Sequence, residues 1–144
     1  MKLIEVLNAY NVLGEAKVSN LEDSEVLKIV KARKAMRPLV EEYEAFSKDV
    51  HDKFRYDGIE ADDKVRMEVI TKLNVDNSYK VTEEENEAIK RILDYIQKVE
   101  NAKTEELGKE VNILIEKLDD TSLTKMIKDN GWELKKLDEL GVML

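Results

Sequence analysis

Residues Ser24 to Phe54 read as one amphipathic helix of about eight turns, and little else in this chain is free to vary once that rod is laid down. At ~100° per residue, Ile29, Ala32, Ala35, Met36, Leu39, Val40, Tyr43, Phe46, Val50 and Phe54 fall in one arc of roughly 140°. That arc is wider than a two-stranded coiled-coil seam and suits a helix packed against two neighbours. Pro38 lies inside the pattern. It removes a backbone donor and crowds the carbonyl of Lys34, which predicts a kink. Tyr56-Asp57-Gly58 is the expected stop.

The rest of the chain is arranged around this helix. Lys2 to Lys17 places Val6, Leu7, Tyr10 and Leu13 on one helical side, with Gly14 weakening the last turn. Asn20 to Ser24 offers several N-caps. Between Ile59 and Val81, Met67, Val69, Thr71 and Leu73 alternate, a turn-like Asn74-Val75-Asp76-Asn77-Ser78 follows, and then come Tyr79 and Val81. This pattern slightly favours a β-hairpin, although Val65, Val69, Ile70 and Leu73 also fit a short helix. Thr82 and Glu85 bracket a capping box. The helix it opens runs through Ile89, Ile92, Leu93, Ile96 and Val99 to about Leu107. Val111, Ile113 and Ile115 alternate as a short strand does. Leu107, Val111, Leu114 and Leu118 would suit a helix instead, and the β-branched content favours the strand. A last helix begins near Asp120-Thr121-Ser122 and ends at Asn130-Gly131. Trp132, Leu134, Leu137 and Leu140 then form an apolar segment expected to fold back onto the bundle. The expected fold is therefore mostly α: one domain spanning residues 1–144, a long antiparallel helical hairpin or bundle with a minor β-hairpin or short-strand element.

Composition excludes most enzyme chemistries. With one His, no Cys, five Gly and one Pro, the chain has no thiol nucleophile, no phosphate-cradling glycine loop and no histidine cluster. No cofactor is implied, and no catalytic residue can be named. Net charge −8 disfavours generic nucleic-acid binding. No uncharged run is long enough to span a bilayer, and MKLIEVLNAY lacks a signal-peptide cleavage site, so a cytoplasmic protein is expected.

Three constellations could carry chemistry. His51-Asp52 is an isolated HD dipeptide, best read as exposed helix surface. Asp57, Glu60, Asp62 and Asp63 form an acidic cluster without EF-hand spacing, best read as a solvated loop. Glu83, Glu84 and Glu87 followed by Glu116 and Asp119 fit EExxE and ExxD. That pair resembles the magnesium-binding signature of the all-α NTP pyrophosphohydrolases (the MazG and dimeric dUTPase group), which implies carboxylates on adjacent helices holding magnesium against a triphosphate. Helix capping explains Glu83 and Glu84 equally well.

Lys28, Lys31, Arg33, Lys34 and Arg37 form the one cationic concentration, opposite the apolar arc. They read as a solvated helix face, or as a docking patch for an acidic protein partner or for a neighbouring copy of this same acidic protein. Two long helices with a wide apolar arc also point to self-association as a homo-oligomer, a dimer or larger, with an isologous dimer the simplest case.

The order LNAYNVLGEAKVS, KARKAMRPLVEEYEAFSKDVHDKF, EEENEAIKRILDYI, EVNILIEKL and DDTSLTKMI resembles a group of small uncharacterised helical proteins of tailed phages and prophages of low-GC Gram-positive bacteria. The likeness spans most of the chain and departs from the group at Pro38. It implies a virion-assembly, tail or accessory protein without catalysis, and it transfers no functional residue.

Overall fold

The computed structural model describes residues 1–141. Among them six helices form: α1 Leu3–Glu15, α2 Asp23–Phe54, α3 Ile59–Val75, α4 Glu83–Leu107, α5 Asp120–Asn130 and α6 Leu134–Glu139. The fold is mostly α, with bundle-like helix packing. None of these helices is long and apolar enough to cross a membrane.

The chain divides into two compact units. The terminal unit comprises residues 1–46 with the described part of 105–144, and the central unit comprises residues 47–104. Both α2 and α4 contribute residues to each.

In the terminal unit, Val6, Ala9, Val12 and Leu13 of α1 meet Ile29, Ala32 and Met36 of α2. Leu21, Leu118, Met126 and Leu140 complete that core, and Trp132 packs against it. The terminal apolar segment thus folds back through Trp132 and Leu140, while Leu134 stays exposed. Most of the wide arc on α2 is spent inside the protein: Ile29, Ala32, Met36, Val40 and Val50 are buried and Leu39, Tyr43, Phe46 and Phe54 are half-buried, while Ala35 is exposed. Asp119 caps α5, its Oδ1 accepting from the Ser122 N–H at 2.6 Å. Gly131 closes that helix at φ 61°, and the Trp132 N–H reaches back to the Ile127 carbonyl at 3.1 Å, a Schellman closure.

In the central unit, the end of α2, α3 and the first 22 residues of α4 bury Val50, Val69, Ala88, Ile92 and Val99. The expected capping box forms: Thr82 Oγ1 accepts from the Glu85 N–H at 3.2 Å, and Glu85 Oε1 accepts from the Thr82 N–H at 3.0 Å.

The β expectations need correction. The hairpin predicted between Met67 and Val81 is absent: helix α3 continues to Val75. A helix sets Asp62, Val65 and Val69 on one side, where Val69 is buried and Asp62 finds a cationic partner. Strands would have split that set between two faces. The turn signal at Asp76-Asn77-Ser78 is real, with Asp76 Oδ1 accepting from the Ser78 N–H at 3.0 Å, but it joins two helices. The strand expected at Val111 to Ile115 does not form either: residues 111–115 belong to no helix and no sheet. Among the described residues, β pairing is confined to an isolated antiparallel bridge between Lys2 and Glu110.

Candidate functional site

Three members of the predicted acidic cluster, Glu60, Asp62 and Asp63, are engaged in ion pairs within the central unit, and the fourth, Asp57, is exposed. Buried Asp62 accepts from Arg91 through Nε at 2.8 Å and Nη2 at 3.0 Å, and from the Tyr56 hydroxyl at 2.8 Å. The Arg91 guanidinium holds the Asp62 carboxyl below the usual carboxylate range. Burial first, and then its bond to Asp62, push the Tyr56 phenol up to about 12. Glu60 pairs with Arg55 at 2.6 Å and Asp63 with Arg66 at 2.7 Å. His51 is not the exposed residue expected. It is half-buried, and its Nδ1 is hydrogen-bonded to the Tyr95 hydroxyl at 2.8 Å.

The five residues of the magnesium-like signature are all exposed. Glu83, Glu84 and Glu87 stand on the first turns of α4 in the central unit, whereas Glu116 and Asp119 belong to the terminal unit. Asp119 is occupied as the α5 cap. Among the described residues, no three His, Asp or Glu side chains are gathered as a metal site requires.

The cationic run separates into two groups. Lys28 is tied down, its Nζ 2.8 Å from Glu25 Oε1 and 3.3 Å from the Lys117 carbonyl. Arg33 lays its guanidinium 4.2 Å above the Tyr10 ring, a cation–π contact. Gly14 leaves room for it, since a Cβ there would stand 3.1 Å from Arg33 Nη2. The Arg37 guanidinium is bonded to the Tyr10 hydroxyl, which raises its pKa. Lys31 and Lys34 are exposed and meet no carboxylate among the described residues.

Exposed apolar side chains are the feature that sequence reasoning passed over. In the central unit, Met67 is 53%, Ile70 45%, Leu73 36% and Leu93 50% exposed. A groove of about 360 Å³ between α3 and α4 is lined by Ile59, Asp63, Arg66, Ile92, Tyr95 and Ile96. Helical spacing continues this groove through Ile70 and Leu73 on α3 and through Leu93 and Ile89 on α4. Reading Ile70 and Leu73 as helical, rather than as part of a hairpin, was the signal that could have found it. In the terminal unit, Leu114 is 97% exposed on the irregular segment before α5.

Compared with protein-family models, with curated proteins and with solved structures, the chain matches none.

Proposed function

We propose that this protein is a non-enzymatic assembly protein that associates with a second copy of itself through the α3–α4 face of its central unit. The observation that carries the reading is the groove between those helices, extended by the exposed side chains of Ile70, Leu73 and Leu93. Helix α3 buries only Asp62 and Val69, so most of its apolar side chains are left at the surface. Covering such a row against another helix is the ordinary way to remove it from water.

Charge favours a second copy as the occupant. Two chains of net charge −8 repel each other and meet most easily where charge is locally cancelled. The groove offers this: Glu60 is paired with Arg55, Asp63 with Arg66 and Lys72 with Glu85. An isologous contact between two such faces needs no further charge compensation. An assembly or accessory role is also what the likeness to the helical phage proteins implies.

The test is molar mass in solution, by size-exclusion chromatography with light scattering at low and moderate salt. The wild type is expected to be a dimer or larger, and Ile70→Glu combined with Leu93→Glu to be a folded monomer. A wild type that stays monomeric at high concentration would overturn the reading.

A further inference from the structure

A different surface, in the terminal unit, has the features of a strand acceptor. From Val111 to Glu116 the side chains alternate between half-buried and exposed, the period of an extended strand. Val111, Ile113 and Ile115 rest on the core, and Asn112, Leu114 and Glu116 face water. The first part of this segment is paired: the Leu3 N–H donates to the Lys109 carbonyl at 3.0 Å, and the Val111 N–H to the Met1 carbonyl at 2.9 Å. Beyond Val111 the ladder stops. Among the described residues, the main-chain groups of 112–116 form no hydrogen bond within the protein. Exposed strand edges are commonly protected by a charge, a proline or a bulge. The run Val111-Asn112-Ile113-Leu114-Ile115 carries no charge and no proline, and at its centre stands Leu114, 97% exposed.

Beside this edge lies a groove of about 370 Å³, walled by Leu114, Ile115 and Glu116 on one side and by Lys28, Lys31 and Ala32 of α2 on the other. Lys34 follows Lys31 one turn along α2, and half-exposed Leu27 and Val30 share their side of the helix. Lys28 is already neutralised by Glu25, but among the described residues Lys31 and Lys34 have no ion-pair partner. An occupant laid along the edge therefore meets unpaired main-chain donors and acceptors, apolar side chains and two free cations.

We propose that the 112–116 edge, flanked by Lys31 and Lys34, accepts an extended acidic segment of another protein as an added β-strand. Main-chain bonds supply the affinity, and the two lysines select the sign of the partner's charge. This surface is independent of the α3–α4 face. A second copy of this chain suits it less well, because its own 111–116 segment offers a single carboxylate, Glu116.

The probe is a short fluorescein-labelled peptide alternating valine with glutamate, titrated by anisotropy against the full chain up to millimolar protein. It is expected to bind, more weakly as salt rises, and to protect amides within 112–116 from hydrogen exchange. The valine–lysine analogue should fail to bind. N-methylating alternate peptide amides should abolish binding in one of the two phases and spare it in the other. Lys31→Glu with Lys34→Glu should weaken binding about tenfold while leaving the thermal midpoint unchanged, both side chains being exposed. No binding at millimolar protein would overturn the proposal. So would equal binding of the lysine analogue, or binding indifferent to N-methylation in both phases. Protection of 112–116 that rises with protein concentration and without peptide would assign the edge to a second copy instead.

Discussion

In the terminal unit, the most completely covered side chains are Leu3, Met36, Met126, Leu140 and Val6, large apolar groups. In the central unit, the buried apolar residues are Val50, Val69, Ala88, Ile92 and Val99, and a carboxylate, Asp62, is buried among them. One unit is held mainly by apolar packing. It also buries a carboxylate, Glu25, which accepts from Lys28 and from the Asp119 N–H, but the other unit has the larger directional network, with Tyr56 and Arg91 on Asp62, His51 on Tyr95, and Tyr79 and Thr82 on Glu85. Packing tolerates changes of solvent pH, whereas a network of carboxylates depends on their charge. The two parts of one short chain should therefore fail under different stresses.

Emptying the apolar core should have the largest effect. Met36→Ala leaves a cavity on α2 and is expected to cost about 2–5 kcal/mol. Trp132, the one tryptophan, packs on that core and reports it by fluorescence during denaturant unfolding. An unchanged midpoint would break the contrast. Acid should act on the other unit. Hydrogen bonds from the Thr82 N–H and the Tyr79 hydroxyl hold the Glu85 carboxylate down to about 2, against an ordinary 4.5. The stability this gives is complete above 4.5 and is lost as pH falls through 2. Asp62 and Asp76, in the same unit, are shifted in the same direction, while among the described residues of the terminal unit Asp119 alone is so shifted. Amide exchange recorded from pH 5 to 2 should show α3 and the start of α4 opening before α1. The reverse order would contradict the contrast.

Two smaller effects sharpen the same comparison. Thr82→Ala removes one half of the α4 capping box and should cost about 1 kcal/mol, detected as a lower thermal midpoint with fraying confined to the first turn of α4. Tyr56→Phe should remove a phase of tyrosinate absorbance near 12 in an alkaline titration. Because that phenol is raised from 10, its contribution to stability is present below 10 and fades as pH climbs through 12.

What could be read in advance follows from the range of the forces involved. Helix periodicity and caps act over a few residues, so α2, α4 and α5 were legible from the Ile29–Phe54 arc, from Thr82 and Glu85, and from Gly131. The α3 region was not, because alternation at Met67, Val69, Thr71 and Leu73 competes with helical spacing at Asp62, Val65 and Val69. The deciding partner, Arg91, lies 29 positions away in sequence. Val111 to Ile115 alternates as a strand does but belongs to no sheet, since a segment's own sequence does not say whether a neighbour arrives to pair with it. The cationic run was visible as five residues, yet only the folded chain separates Lys31 and Lys34 from Arg33 and Arg37, which are engaged by Tyr10.

Gly14 carries a consequence for anyone engineering this protein. A glycine within a helix normally invites replacement by alanine, a gain of about 1 kcal/mol from a stiffer unfolded chain and better helix propensity. Here the missing methyl is the clearance under Arg33, 3.1 Å from where a Cβ would stand. An alanine there makes the guanidinium shift by a few tenths of an ångström over Tyr10, so the sign of the substitution is set by how freely Arg33 can move and not by helix propensity alone.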